Sequence, residues 1–441
     1  MRYLLFSIFF FLHASSLKSQ SADSIIIQLK SVNQAVVNKS CTRGNLPVIS
    51  NRAMNVFLAD KTGYVGENSD LSLFTNYVTL NSTEGKLTIN HNFQKATGID
   101  EPIKKLLSVG ISTNFANGFA ASFLDDKFEN ELGLTINYKW LGAVKTHCGN
   151  QTDHLQKKQS MNALRAAIVY SLEIEMDQKE ADFKRAVDSI DSTTIPGQKP
   201  ATAKALVLKN FYQHLAVEYV EKFAMLQAEI LTQTNNFKRI TTSWTSATAY
   251  VPMVFPAYTT AQSFTTSLRE KHPYPLALML SHTRLWESAK SGRLFFTLGG
   301  TLLFNNSKLS YGLEKISINQ YKNLGGTDTL RLATVKNDRV YIGDYKTSLD
   351  ASFDVRIVYF PASSHIGISF LLEQNTGGYK LLNGRLGIPV VLSNPRKMPA
   401  VNIEFQVVFF DMNQKIAVDK KLGNKTAIGV NVGIPFSRLM Y

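Results

Sequence analysis

Polar and charged side chains recur at every second position in several stretches of this 441-residue sequence. In an extended strand, residues two apart point to the same face, so these side chains would form rows of carboxylates, amides and cations. Such rows can hydrogen-bond a polar solute, or they can pair with one another into a closed network. The residues concerned are Asn137, Lys139, Asp350, Asp354, Arg356, Asn402, Glu404 and Gln406.

Motifs for catalysis and metal binding are missing from the sequence. It contains no Gly-x-Ser-x-Gly, no His-Glu-x-x-His and no phosphate-binding Gly-x-x-x-x-Gly-Lys-Ser/Thr. His91 lies between Asn90 and Asn92 in a strand-like segment, but no positioned Ser or Asp partner follows it. We therefore expect no enzyme activity, no catalytic residues, no metal and no cofactor, with a barrel hydrolase as the weakest alternative.

The two cysteines, Cys41 and Cys148, exclude a disulfide scaffold and a cysteine-based structural zinc site. In an oxidising compartment they can form one disulfide that tethers the N-terminal segment to the region before the first long helix. Two separate thiols are the alternative, and the sequence does not decide between them.

The first 20 residues have the pattern of a secretory signal. Arg2 supplies the positive charge, Leu4 to Leu12 form a short apolar core, and Ala14 to Ser16 are small. That apolar run is about half of the roughly 17–25 residues that a membrane-spanning helix needs. No later stretch reaches that length, so an exported chain of this kind is either a secreted soluble protein or a β-barrel.

Alternation of apolar with small or polar residues over about ten positions favours the barrel. It is clear in 131–141, 348–359, 400–410 and 426–436, and sandwich strands are usually shorter, about 5–6 residues. We predict a mainly β protein, a transmembrane antiparallel β-barrel of about 14 strands with a range of 12–16. The candidate strands include 47–58 and 308–319.

Residues 151–236 are different and predict a helical hairpin inserted in the barrel. Two segments with helical spacing flank a break at Pro196 to Pro200. The apolar stripe of the second segment can pack within the hairpin, against the barrel mouth or against a protein partner. It comprises Leu208, Phe211, Leu215, Tyr219, Phe223 and Ile230. The predicted layout is therefore signal 1–20, plug or first strand 21–60, barrel 61–150, hairpin 151–236 and barrel 237–441.

Together, the signal, the amphipathic strands and an aromatic C-terminus resemble a Gram-negative outer-membrane β-barrel. The resemblance implies an outer-membrane location and recognition of Phe436 and Tyr441 by the barrel-assembly machinery. In this topology Trp140, Trp244 and Trp286 fall near the outer rim as interfacial anchors. The hairpin falls outside the cell, or in the periplasm if the preceding strand count is wrong by one.

The charge pattern restricts the partners. Charged residues are only 19% of the chain, with a net charge of +14. The basic excess suits the phosphates of lipopolysaccharide and other outer-membrane lipid at the rim, or an anion-selective pore. Export and the lack of a concentrated Lys/Arg run disfavour nucleic acid. We expect a channel or transporter for a small solute; the alternative is a membrane-anchored scaffold whose hairpin docks an envelope, secretion or adhesion partner.

Overall fold

Antiparallel strands close into a β-barrel in this computed structural model. The elements are described in the ranges 21–38, 49–62, 73–82, 86–93, 100–114, 123–124, 127–128, 132–147, 151–189, 200–235, 237–254, 258–261, 269–271, 274–304, 314–323, 332–342, 349–376, 380–393, 399–415 and 426–438. The strands are β1 Thr75–Asn81, β2 Lys86–Phe93, β3 Lys105–Asn114, β4 Phe123–Leu124, β5 Lys127–Phe128, β6 Leu132–Leu141, β7 Lys145–His147, β8 Arg239–Val254, β9 Tyr258–Ala261, β10 Arg269–Lys271, β11 Leu276–Ser288, β12 Gly292–Phe304, β13 Glu314–Asn323, β14 Leu332–Ile342, β15 Leu349–Phe360, β16 Ile368–Asn375, β17 Leu382–Ser393, β18 Pro399–Phe409 and β19 Thr426–Arg438.

The main sheet has 13 strands in the order β11-β12-β15-β16-β17-β18-β19-β1-β2-β3-β6-β8-β7, and a further β8–β11 pairing closes it. Because β7 only extends the β6 side of β8 beyond the ring, the closed barrel has 12 strands. The last strand pairs with the first, β19 with β1, so the ring has no open edge. The predicted mainly β barrel with a helical insertion is confirmed, at the lower end of the predicted strand number.

Two of the predicted strands lie outside the ring, which explains the smaller number. Residues 47–58 overlap the helix α2 (Asn51–Lys61), whose apolar residues Ala53, Met54, Phe57 and Leu58 follow a helical rather than a two-residue spacing. Ser50 caps this helix, because its hydroxyl accepts a hydrogen bond from the Ala53 amide at 3.2 Å. Segment 308–319 overlaps β13, which belongs to a separate four-stranded sheet with β14, β9 and β10.

The other helices are α1 (Ala22–Asn38), α3 (Gln151–Asp188) and α4 (Pro200–Thr234). The pair α3–α4 interrupts the barrel between β7 and β8, and α1 lies against both of its helices. None of the helices in the described part of the chain has the length and apolar character needed to cross a bilayer. We call α1, α3 and α4 together the helical bundle.

The two ends of the barrel differ. β1 begins, β6 ends, β8 begins and β19 ends at one end, so the helical bundle and both chain termini of the barrel lie there; we call it the helical end. Four ring strands, rather than the predicted five, precede the hairpin because 47–58 is not a strand. The hairpin therefore lies at the end of the barrel where the first strand begins, and not at the outer end that the five-strand count predicted. The links at the opposite end are mostly longer and carry β4–β5 and the four-stranded sheet.

Candidate functional site

The predicted lumen residues lie on the inner wall. Strand alternation buries Asn137 and Lys139 while their neighbours Ile136 and Trp140 face outward. On the other strands, Asp350, Arg356, Asn402, Glu404 and Gln406 are also buried, and Asp354 is half-buried. The wall therefore has an apolar outer face and a polar inner face along the same strands, as the alternation predicted.

The structure brings Glu404 and Gln406 of β18 into one network. Gln406 Nε2 donates to Glu404 Oε2 at 2.9 Å, and the Ser369 hydroxyl donates to Glu404 Oε1. Arg385 Nη1 donates to Gln406 Oε1 at 3.4 Å. Lys139 is not in this network: its strand β6 lies on the far side of the ring from β17 and β18, and Lys139 pairs in register with Ser246. The other predicted basic lumen residue, Arg356, lies on β15 together with Asp350 and Asp354, so acidic and basic side chains share that part of the wall.

A second polar network, on β1, β2 and β3, was not predicted. Asn90 Nδ2 donates to the Tyr77 hydroxyl, and the Asn92 amide donates to Asn76 Oδ1 at 2.6 Å. His91 lies between these inward residues and faces outward, with its ring 4.5 Å from the Phe93 ring. The sequence signal for this network is the pair of asparagines two positions apart, Asn90 and Asn92, on either side of His91.

Several inward side chains lie flat on glycines of the neighbouring strand. A Cβ atom at Gly110 would lie 1.8 Å from Asn90 Oδ1, and one at Gly299 would lie 2.1 Å from Asp354 Oδ1. A Cβ at Gly387 would lie 2.5 Å from Glu404 Oε1. No side chain larger than hydrogen fits at these positions without displacing the polar group, so the glycines let the polar side chains lie along the wall.

At the helical end, the inner wall carries a group of large apolar side chains. Phe237 precedes the strand β8, and inward residues of six ring strands form an apolar collar with it. The ring members are Leu106, Trp244, Leu285, Phe295, Val358, Phe360 and Val391. Trp244 is only 1% exposed, so its inward position differs from the predicted interfacial role. Trp140 and Trp286 face outward at this same end.

The helix α2 packs against this collar in the mouth of the barrel. Its residues Phe57 and Leu58 are buried in the same cluster as the collar, and the Phe57 ring meets the Phe237 ring edge-on at 5.8 Å. An α-helix is about 10–12 Å wide with its side chains, so one short helix takes up a large part of a small barrel's mouth. The segment 21–60, predicted as a plug or first strand, contains two helices: α2 lies against the collar, and α1 packs on α3 and α4.

Polar contacts hold both ends of α2. Asp100 Oδ1 accepts the Arg52 amide at 3.0 Å, and Gln227 Oε1 on α4 accepts the Ser50 amide at 2.9 Å. At the other end, Lys61 Nζ lies 3.3 Å from Glu287 Oε1. Arg293 donates to the Lys61 carbonyl and lies 3.4 Å from Glu287 Oε2. α2 is therefore attached both to the barrel wall and to the helical bundle.

The predicted partner stripe lies inside the helical bundle. Leu215, Tyr219 and Phe223 are buried against α1 and α3, and Leu208, Phe211 and Ile230 pack partly buried against the same cluster. The stripe differs from an open docking surface because α1, which was not predicted to join the hairpin, covers it through Ile25, Ile26 and Leu29.

Ionisable groups also hold the bundle together. Lys30 Nζ lies 2.7 Å from Glu173 Oε1, and the Tyr212 hydroxyl donates to Glu180 Oε1 at 2.6 Å. A hydrogen bond from Lys222 lowers the pKa of Glu175. Burial and the bond to Glu180 raise the pKa of Tyr212 to about 12. These shifts favour the ionised carboxylates in the folded bundle.

Phe436 is exposed on the outer face of β19. Tyr441, Cys41 and Cys148 lie outside the described residues. Within the part of the chain that is described, no group of three or more His, Cys, Asp or Glu side chains is placed to hold a metal ion.

Comparisons with known proteins add little to this description. No family model and no curated protein matches the chain. Among solved structures, the β domain of the Bordetella autotransporter BrkA is similar over 82% of this chain and 96% of that chain, with 7% identity and a TM-score of 0.25. That score is too low to support an argument about fold or function, so the barrel assignment rests on the strand pairing.

Proposed function

We propose that this protein is an outer-membrane channel or transporter for a small polar solute, closed in this conformation by α2. The observation that carries the proposal is a polar inner wall lying behind a plug formed by a separate short helix. An apolar or fully paired interior would serve an inert anchor better, because buried polar groups without partners cost about 1–3 kcal/mol each.

Two inner-wall residues support a hydrated or solute-binding lumen. Both side-chain polar atoms of Asn431, and the Ser246 hydroxyl, are buried without a protein hydrogen-bond partner in the described structure. Asn431 pairs in register with Glu404, and Ser246 pairs with Lys139. Polar groups of a solute, or water that moves with it, would satisfy them.

The location follows from the same physical argument. An outward apolar face on a closed antiparallel barrel suits a bilayer, and long links at one end suit the extracellular side. The helical bundle then lies in the periplasm, with lipopolysaccharide at the other rim. The barrel-assembly machinery would insert the chain, and no enzymatic step is part of this function.

Uptake into proteoliposomes tests the channel. A variant with residues 50–62 replaced by a Gly/Ser linker should admit small polar solutes at least tenfold faster than the wild type, since the helix that fills the mouth is removed. Solutes of several thousand daltons should stay excluded from both. Equal, near-zero uptake by both proteins, with the barrel folded, would contradict the proposal.

A specific observation favours the scaffold as a second candidate. The exposed face of α3 carries Tyr170, 65% exposed, and Ile174, and Ile27 of α1 is exposed on the adjoining helix. A docking role predicts that a photo-crosslinker at Tyr170 captures one defined envelope protein, whereas a channel alone predicts none. The control position is Leu215, which is buried inside the bundle.

A further inference from the structure

The outer wall at the helical end carries a group of basic side chains. They lie on β3, β7, β8 and β11, just before β8 or in the turn after β11, and all are exposed: Lys105, Lys145, Lys238, Arg239, Arg284 and Lys290. Strand pairing brings them together, since Arg239 pairs with His147 on one side and with Ser288 on the other. We call this group the basic rim.

Among the described residues, few acidic groups oppose the basic rim. Glu287, on the same strand as Arg284, points inward to Lys61 and Arg293, and Asp100 is bonded to α2. Glu101 is the exposed acid near Lys105. Burial, together with the charges of Arg239 and Lys145, lowers the pKa of His147, which is the effect expected in a positive field.

Aromatic rings adjoin the basic rim on the outer wall. The Arg284 guanidinium lies 5.0 Å from the centre of the Trp286 ring, and Trp140 pairs in register with Lys105. The Tyr138 ring meets the Trp140 ring at 4.7 Å. Tryptophan and tyrosine of this kind mark the level of the lipid headgroups, which places the basic side chains beside the lipid phosphates.

An apolar depression of about 550 Å³ lies in the same wall, across β6, β8, β11, β12 and β15. Small outward residues on β8, β12 and β15 leave space between the larger ones: Leu280 pairs in register with both Ala247 and Gly300, Leu278 pairs with Ala249, and Leu302 pairs with Ala351. Leu280 and Phe353 border it. Leu280 is four residues from Arg284 on one strand, about 14 Å at 3.4 Å per residue. With the roughly 40° tilt of barrel strands this is about 10 Å of depth, a third of a hydrocarbon core of about 30 Å.

We propose that this wall is a binding site for one anionic phospholipid, whose phosphate contacts the basic rim and whose acyl chain occupies the depression. The phosphate is recognised by charge, and the acyl chain by the space above the small side chains. The proposal rests on the membrane location proposed above, but not on conduction through the lumen, because the residues involved face away from it.

The test is lipid retention by the full-length protein. The purified barrel is equilibrated in mixed vesicles of phosphatidylcholine and phosphatidylglycerol, extracted, and examined by native mass spectrometry. Wild-type protein should keep one phosphatidylglycerol. The triple variant Lys238→Gln, Arg239→Gln, Arg284→Gln should bind this lipid about tenfold more weakly. The matched control, Lys380→Gln with Lys415→Gln, alters exposed lysines at the opposite end and should bind like the wild type.

Ala249→Phe tests the depression separately. Filling that space should weaken retention severalfold without changing the basic rim, and inorganic phosphate at millimolar concentration should not displace the lipid. Equal losses in the rim and control variants would overturn the proposal, as would displacement by phosphate alone. A dimer that Ala249→Phe disrupts would show that a second copy occupies this wall instead. Solute uptake measured on the same variants keeps this result separate from the channel proposal.

Discussion

At the scale of single residues, the buried charges that hold the end of α2 are the most consequential group. Glu287 contacts both Lys61 and Arg293, and its side chain is largely shielded from solvent. Removing one member of such a group leaves the others buried and uncompensated, which is more damaging than losing a surface ion pair. These contacts therefore determine how firmly the helix stays in the mouth.

We predict that Glu287→Gln weakens the docking of α2 by about 3 kcal/mol. The measurement is the rate of protease cleavage between α2 and β1 in the folded barrel, which should be faster in Glu287→Gln than in the wild type. The matched control is Asp182→Asn, which removes the exposed pair with Arg185 and should change stability by less than about 1 kcal/mol. Cleavage at the wild-type rate in Glu287→Gln would show that the pair does not hold the helix.

A substitution at Phe436 can separate recognition by the barrel-assembly machinery from the stability of the folded barrel. Its side chain is exposed on the outer face of the last strand, so Phe436→Ala should leave the unfolding free energy in detergent within about 1 kcal/mol of the wild type. If the barrel-assembly machinery reads this residue, the variant should accumulate severalfold less folded barrel in cells. Normal accumulation would argue against that role. Ile434→Ala, on the same face of β19, is the control.

Residue positions on the strands were largely predictable, because a two-residue alternation fixes which side chains share a face. That argument placed Lys139, Glu404 and Gln406 on the inner wall. Trp244 was predicted incorrectly as an interfacial anchor from its residue type. The alternation along β8 places its ring inward. Contacts across the lumen depend on the order of the strands around the barrel, and the alternation within a strand does not reveal that order.

At the scale of elements, the helices carry the main differences from prediction. The hairpin was predictable from two long helical patterns around Pro196 to Pro200, but the packing of α1 against it was not. Ile25, Ile26 and Leu29 pack against the hairpin stripe, a contact that depends on the three-dimensional arrangement of all three helices. α2 is short, and its mixed apolar pattern is compatible with a strand. The structure shows a helix whose first turn is capped by Ser50.

The helical bundle should lose stability in acid. The pKa of Glu175 is lowered by its hydrogen bond from Lys222, and that of Glu180 is lowered because bonds from Tyr212 and Lys184 outweigh burial, which acts to raise it. A carboxylate with a lowered pKa stabilises the folded state above its unfolded value of about 4.3, and the contribution is lost as pH falls through the folded pKa.

We therefore expect the urea midpoint of the helical circular dichroism signal to fall between about pH 5 and pH 3. Glu175→Gln should lower the midpoint at pH 7 and reduce its change with pH. Glu221→Gln is the contrasting variant, because burial, opposed by Arg52, raises the pKa of Glu221. It should raise the midpoint at pH 7 and not at pH 3. A midpoint independent of pH in the wild type would contradict the assignment.

At the scale of the whole molecule, the chain is a closed barrel with its N-terminal helices folded back onto it. α1 packs on α3 and α4 and α2 lies in the mouth, so the hydrogen bond from the Ser50 amide to Gln227 joins α2 to the helical bundle. The fold class was predictable because a closed antiparallel ring imposes the same alternation on each strand. The connection was not, because it joins residues 177 positions apart.

Single-channel recording in planar bilayers tests the central claim, that α2 closes a polar conduit. Phe57→Ala removes a fully buried ring from the contact with the collar, a change of about 3–5 kcal/mol in a packed core. Wild-type protein should be closed for most of the recording, and Phe57→Ala should raise the open fraction at least tenfold, with the same unitary conductance as the rare wild-type openings. A folded Phe57→Ala barrel that stays closed like the wild type, or a wild type that is already fully open, would contradict the account.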